Sequence, residues 1–220
     1  MGQEGKCCFI IGAAPARDPR YLLRYLPQNA FVICADGGVE LAQRCGITPQ
    51  LAVGDFDSYA GSPDSLPADL PVVPLNPRKD DTDMLAAVNA GLSRGYHRFV
   101  LAGALGGRLD HSYANLCVLQ YLREKDCDAF LAGEDEEAFL LKEGETRLFQ
   151  KKPGTLFSVF PFSCPVCNVS YTGMRYPLDH HDLFSSASRL PMGISNVAEK
   201  GECSITVHHG LALVIVPASS

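Results

Sequence analysis

Long apolar runs are missing from this chain. Nowhere do the roughly 20 consecutive apolar residues of a membrane-crossing helix occur, so no membrane partner is expected. Basic residues are in deficit as well: 19 Lys and Arg stand against 25 Asp and Glu, a formal net charge of -6 across 220 residues. A general nucleic-acid binder needs a basic face for phosphate contacts, so no nucleic-acid partner is expected either. The opening Met1-Gly2-Gln3-Glu4-Gly5-Lys6 runs straight into the short apolar stretch Cys7 to Ile11, without the apolar core or small-residue cleavage site of a secretory leader. Lys6 stands where an N-myristoylation motif wants Ser or Thr.

The signature loops of several nucleotide-binding classes are absent too. There is no Gly-x-x-x-x-Gly-Lys-Ser/Thr, which excludes a P-loop enzyme at the motif level, and there are no protein-kinase signatures. Gly12-Ala13-Ala14-Pro15, after the first apolar run, could approach a phosphate but lacks the Gly-x-Gly-x-x-Gly spacing of a dinucleotide fold. No internal repeat or low-complexity tract stands out. Disulfide pairing is not suggested either. The nine cysteines are odd in number and lie in apolar runs such as Phe31-Val32-Ile33-Cys34, where a free thiol acts as a small hydrophobe. A reducing cytoplasm is the expected location. The one Cys-x-x-Cys, Cys164 to Cys167, is followed by His180 and His181, but sits among Pro, Phe, Val and Tyr and lacks a second compact ligand pair. Metal binding there is open and not favoured.

What is present has a two-part grammar. Apolar, strand-forming runs occur at Cys7 to Ile11, Phe31 to Ala35, Leu51 to Val53, Val72 to Leu75 and Phe99 to Leu105. Helical patterns fall between or after them, at Val39 to Arg44, Asp83 to Leu92 and His111 to Arg123. Near-continuous apolar strands alternating with helices predict an α/β domain on a mostly parallel, Rossmann-like sheet covered on both faces. From Arg147 onward the chain reads as short strands separated by Pro, Gly, Ser and Asn, among them Thr155 to Phe160, Cys203 to His208 and Leu211 to Val216. The last two are expected to form a hairpin across His209-Gly210. The second part is therefore expected to be a small all-β sandwich, with the domains at 1–146 and 147–220.

The candidate chemistry is acidic. Ligands of open α/β sheets bind beyond the carboxyl ends of the strands, and there the chain places carboxylates repeatedly. Asp55 and Asp57 follow Leu51 to Val53 in Gly54-Asp55-Phe56-Asp57-Ser58. Asp36-Gly37-Gly38 follows Phe31 to Ala35, Lys79-Asp80-Asp81-Thr82-Asp83 leads into a helix, and Gly106-Gly107-Arg108-Leu109-Asp110-His111 leads into the next. Acids at helix starts have an ordinary explanation in capping and the helix dipole, which covers Asp80, Asp81, Asp83 and Asp110. Asp55 and Asp57 are not explained that way. Paired carboxylates suit Mg²⁺, which takes one or two of them together with substrate phosphates. Lys79 and Arg108, set among the acids, suit phosphate oxygens. Residues alone leave open a phosphoryl-transfer enzyme, a metal-dependent nucleotide phosphoesterase, or a non-catalytic nucleotide sensor.

In order and approximate spacing these motifs, with Gly193-Ile194-Ser195-Asn196 downstream, resemble thiamine pyrophosphokinase. Tyr176-Pro177-Leu178 and Gly210 to Ile215 resemble the bacterial form, so the likeness spans nearly the whole chain. The resemblance implies an α/β catalytic domain that binds ATP and Mg²⁺, a β-sandwich that binds thiamine, and a homodimer with its active site between subunits. It implies transfer of the pyrophosphoryl group of ATP to the thiamine hydroxyl, with release of AMP. Asp55, Asp57 and Asp83 would hold Mg²⁺ and, with Asp110, serve catalysis. Asp36, Gly37, Lys79, Asp80, Arg108 and His111 would lie on the ATP side, and Ser195 and Asn196 of the partner subunit would face thiamine. Some members carry an aromatic shortly after Ser-Asn. Here Val197-Ala198 follows and the chain has no Trp, leaving the pyrimidine without an assigned stacking partner.

Overall fold

The computed structural model describes residues 6–56, 69–75, 82–186, 188–189 and 193–218, and the chain divides into two units, Met1–Glu134 and Asp135–Ser220. In the first unit the apolar runs become strands β1 (Cys7–Ile11), β2 (Phe31–Ala35), β3 (Leu51–Gly54), β4 (Val72–Pro74), β5 (Arg98–Ala102) and β6 (Asp128–Ala132). They lie in the order β4-β3-β2-β1-β5-β6, and every one of these pairings is parallel. β1 is buried at every residue, as a strand needs when helices cover both faces. β4, at the edge, is exposed throughout. The strand numbers climb away from β1 on one side and from β5 on the other, so the order reverses between β1 and β5.

The helices are α1 (Leu22–Tyr25), entered through a 3-10 turn at Pro19–Tyr21, α2 (Gly38–Arg44), α3 (Asp83–Leu92) and α4 (Leu109–Glu124). α3 buries Met84, Ala87, Val88 and Gly91, one stripe at helical spacing. It is capped by Thr82, whose hydroxyl oxygen accepts the Leu85 N–H at 3.2 Å. α2 begins at Gly38 because a side chain there would overlap the Ile11 carbonyl oxygen. That glycine serves close packing of helix on strand.

Some expected boundaries move. β5 ends at Ala102, short of Leu105, because Gly103 turns the chain into the left-handed region at φ 59°. α4 begins at Leu109 rather than His111. Among the described residues parallel pairing is confined to the first unit, so the β structure is mixed.

The second unit contains β7 (Glu136–Lys142), β8 (Thr146–Gln150), β9 (Leu156–Pro161), β10 (Val166–Thr172), β11 (Leu178–Phe184), β12 (Asn196–Val197), β13 (Glu202–His209) and β14 (Leu211–Pro217). One layer runs β12-β9-β14-β7 and the other β11-β10-β13-β8, with antiparallel pairing throughout. The layers face each other through aromatic side chains: Phe149 of β8 packs edge-on against Phe139 of β7 and Phe157 of β9, with ring centroids 5.7 and 5.1 Å apart. β10 alternates half-buried and buried residues along its length, the pattern of a strand with one wet face.

The hairpin expected at His209-Gly210 is a correction. β13 pairs with β10 and β8, β14 pairs with β9 and β7, and Gly210 at φ 84° is a corner where the chain changes layers. The expected boundary at 146/147 falls inside the second unit, at the start of β8. β7 belongs to this unit because it is zipped along its length to β14.

Candidate active site

In a doubly wound sheet the loops leaving two neighbouring strands part where the strand order reverses, and ligands bind in the crevice between them. A cavity of about 440 Å³ lies at that place in the first unit. Gly12 to Pro15 line it after β1, and Gly103, Ala104 and Gly106 after β5. Asp36 after β2, Thr82 and Asp83 at the start of α3, and Arg108 and His111 around the first turn of α4 complete its chemically active lining.

The two lips are fixed by backbone. The Gly12 N–H donates to the Ala102 carbonyl at 2.8 Å and the Ala14 N–H to the Gly103 carbonyl at 2.9 Å. Side chains hold the loop before α4: Asn115 Nδ2 donates to the Ala104 carbonyl at 2.7 Å, and Ser112 Oγ accepts the Gly106 N–H at 3.2 Å. Gly103 needs its missing side chain, since a Cβ would overlap the Gly12 carbonyl oxygen. The N-cap residue of the 16-residue α4, Arg108, makes no side-chain cap, and Asp110 Oδ1 accepts the His111 N–H at 3.0 Å, so only the N–H groups ahead of His111 are left of the kind that attract anions.

The charges are divided between the edges of the cavity. Asp36 is only 5% exposed, its backbone is left-handed at φ 47°, and its N–H is tied to the Val53 carbonyl at 2.8 Å. Its Oδ1 is enclosed and has no hydrogen-bond partner among the described residues. Leaving such a group unpartnered costs about 1–3 kcal/mol, and residues held so cluster at sites that bind something. Asp83 and Asp55 are both half-buried, Asp83 in the lining and Asp55 just past β3.

Arg108 presents the opposite charge. Its Nε lies 3.1 Å from Asp110 Oδ1 and its Nη2 bonds Asp110 Oδ2, a two-pronged pair on the exposed surface. That guanidinium is the main reason the Asp110 carboxyl is held down at about 2. Arg108 and His111 line the cavity, whereas Asp110 and Gly37 do not. Asp57, Lys79 and Asp80 lie outside the described residues.

The model of the thiamin pyrophosphokinase catalytic domain matches residues 22–131, and that of the family's vitamin B1 binding domain matches residues 145–212. The chain belongs to the thiamin pyrophosphokinase family. Thiamine pyrophosphokinase of Bacillus subtilis is 25% identical over 173 residues, covering 78% of this chain and 81% of its own length. Thiamine pyrophosphokinase 1 of Oryza sativa is 25% identical over 229 residues, covering 92% and 85%. The crystal structure of the Bacillus subtilis protein shares the fold at a TM-score of 0.83 and 23% identity, covering 98% of this chain and all of that one. Thiamin pyrophosphokinase from Candida albicans does so at 0.78 and 14%, covering 98% and 90%.

The thiamin pyrophosphokinase fold gives the second unit its own candidate residues. Asn196, 7% exposed, accepts from the Tyr176 N–H at 3.1 Å and donates to the Tyr176 carbonyl at 2.8 Å, so its amide works as a clamp. Tyr176, which it fixes, is 63% exposed; nearby, Ile194 is 68% exposed, and Ser195 is exposed with φ 57° and its N–H donates to Ser158 Oγ at 3.2 Å. Tyr176 was legible in the sequence only as part of a motif, and its role as an exposed aromatic held by Asn196 was not. Gly103 and Asn115 were missed because the apolar run Phe99 to Leu105 conceals the end of β5. The glycines at 103, 106 and 107 were the available signal.

Cys167 of the Cys-x-x-Cys is fully buried on β10, and burial pushes its thiol up to about 12. All nine cysteines are unpaired. Among the described residues, which do not include Asp57, no group of three or more His, Cys, Asp or Glu is placed to hold a metal, and no helix is long and apolar enough to cross a membrane.

Proposed function

We propose that this enzyme transfers the pyrophosphoryl group of ATP to the hydroxyl of thiamine, yielding thiamine pyrophosphate and AMP, with the nucleotide in the cavity between the tips of β1 and β5. The observation that carries the reading is the division of charge around that cavity. Arg108, His111 and the start of α4 line it after β5 on one edge, and the buried carboxyl of Asp36 after β2 and that of Asp83 at the start of α3 make another. A polyphosphate is favoured on the first edge and repelled from the second. The parallel, reversed strand order supports a Rossmann-like mode of nucleotide binding without a dinucleotide fingerprint.

The donor set at the tip of β3 and the start of α3 is composed of carboxylate oxygens, the ligands Mg²⁺ prefers. Asp55, Asp57 and Asp83 would hold the ion, and when bound it supplies charge neutralisation at the phosphates. Arg108 binds and orients the polyphosphate with His111 beside it, Asp110 orients Arg108, and Lys79 and Asp80, outside the described residues, are assigned to ATP by the family resemblance alone. The thiamine hydroxyl attacks the β-phosphorus, an O–P bond forms, and the bond to the α-phosphate oxygen breaks as AMP leaves. The hydroxyl proton passes to a wall carboxylate. Asp110, held at about 2 by Arg108, is poorly matched to that task at neutral pH. Ser195 and Tyr176 face thiamine, with Tyr176 positioned by Asn196 and the Ser195 N–H held by Ser158 Oγ. Tyr176 supplies the aromatic face for the pyrimidine. The enzyme acts as a homodimer with its active sites at the subunit interface, and a cytoplasmic location agrees with nine unpaired cysteines.

Incubation with thiamine, ATP and Mg²⁺ is expected to give equal amounts of thiamine pyrophosphate and AMP, read by chromatography. ADP as product, or phosphate release without thiamine, would sink the reading.

A further inference from the structure

Two side chains outside the cavity hold the loops that form it. The first is Tyr21, in the 3-10 turn before α1, which is buried and does not line the cavity. Its phenol oxygen accepts the Gly103 N–H at 2.8 Å. Where Gly103 leaves the strand its backbone turns left-handed, and this N–H is satisfied by a side chain that arrives from a segment distant in sequence. Burial pushes the phenol pKa up, so the ring keeps its neutral hydroxyl at physiological pH.

The second is Glu134, at the end of the first unit. One carboxylate oxygen accepts the Arg17 N–H and the other the Asp18 N–H, each at 2.9 Å, while its carbonyl accepts from Arg24 Nη2 at 2.8 Å. Asp18 then caps the turn that carries Tyr21, accepting the Arg20 N–H at 3.0 Å. The segment between Ala13, in the lining, and Tyr21 is thus secured at both ends. Its near end is tied by the Ala14 N–H to the Gly103 carbonyl, and its far end by Glu134.

We infer that Tyr21 and Glu134 are positioning residues for the nucleotide, acting through Gly103 and through the loop of residues 13–18. The inference rests on reading the cavity as the nucleotide site. Opposed loops held at a fixed spacing do not have to be ordered when the ligand arrives, and that ordering cost otherwise appears as weaker binding. Releasing the Gly103 N–H removes one fixed point and loosens the lip nearest the start of α4. The loss falls on binding of ATP. Thiamine affinity and the chemical step, which depend on other residues, are spared.

The test uses the full chain with Tyr21→Phe, which keeps the ring and removes only the acceptor. The KM for ATP is expected to rise about fivefold to tenfold, the worth of roughly one hydrogen bond. The KM for thiamine and kcat should stay within about twofold of the parent protein. Calorimetric binding of AMP, without turnover, should weaken by the same factor. A purely structural role would lower the melting temperature and the active fraction while leaving both KM values unchanged, and that outcome overturns the inference. Glu134→Gln, at a more accessible position, provides a second variant if Tyr21→Phe does not fold, with an expected rise in the KM for ATP of about twofold to threefold; an unchanged KM there also overturns it. A parent protein that neither turns over nor binds AMP removes the proposed function and this inference with it. A parent protein that does both, beside a Tyr21→Phe protein with equal AMP affinity, removes this inference alone.

Discussion

The tip of β2 and the opening turn of α4 both place an aspartate close to paired glycines, Asp36 before Gly37-Gly38 and Asp110 after Gly106-Gly107, yet the two carboxyl groups are in opposite situations. Asp36 is buried in a left-handed backbone with an oxygen that no described residue satisfies. Asp110 is exposed and saturated by Arg108. The difference teaches that position beside a strand tip or helix start selects candidates, and burial with hydrogen-bond accounting separates them. An enclosed oxygen that no described residue satisfies makes Asp36 the stronger candidate to meet a ligand, and its existing pair makes Asp110 a candidate to act through Arg108.

The comparison can be broken most directly at Asp36. Asp36→Asn keeps the shape and removes the charge, and turnover is expected to fall about a hundredfold, the scale of a lost preorganised polar contact. The melting temperature should hold or rise, because the charge is removed from a buried carboxyl with one oxygen that no described residue satisfies. Activity within twofold of the parent, measured as AMP release, would place Asp36 with the structural acids. Next in size is Arg108→Ala, expected to lower kcat/KM for ATP by about tenfold to a hundredfold, near the worth of one charge-assisted contact. The thiamine KM should not change, and a loss confined to it would contradict the assignment of Arg108 to the polyphosphate.

The smallest effect belongs to Asp110→Asn, which leaves Arg108 in place with less restraint. The KM for ATP should rise by only about twofold to threefold, since exposed ion pairs contribute little. A loss as large as that at Asp36 would make Asp110 a participant in its own right. The pair also sets a pH dependence. Because Arg108 lowers the folded-state pKa of Asp110 from 3.8 to about 2, its contribution is present above 3.8 and lost as pH falls through about 2. In urea titrations the stability difference between the parent and Asp110→Asn should shrink over that interval. A difference that widened there would show the sign to be wrong.

Much of the first unit was legible because its strands are buried on both faces. Cys7–Ile11 and Phe31–Ala35 are apolar from end to end, and their boundaries coincide with the expected ones. Asp83 falls in the first turn of its helix, as the apolar spacing indicated. The second unit was read less well. β11 is Leu178-Asp179-His180-His181-Asp182-Leu183-Phe184, exposed along its middle, and has little apolar signal to find. Local turn chemistry at Gly210 is the same for a hairpin and for a corner between layers, so only pairing distinguishes them. The contrast between Asp36 and Asp110 was invisible for a related reason: Val53, which anchors the Asp36 backbone, is distant in sequence, and burial is a property of the packed sheet.

Gly210 carries a further consequence. It is the single residue between β13 and β14, and those strands sit inside different layers, each flanked on both sides. A one-residue insertion there would turn the inward face of β14 outward. The connection has no slack, so neither layer can open while the other stays closed. Backbone amides of β13 and β14 should therefore exchange with solvent at one common rate, as a single cooperative unit of unfolding.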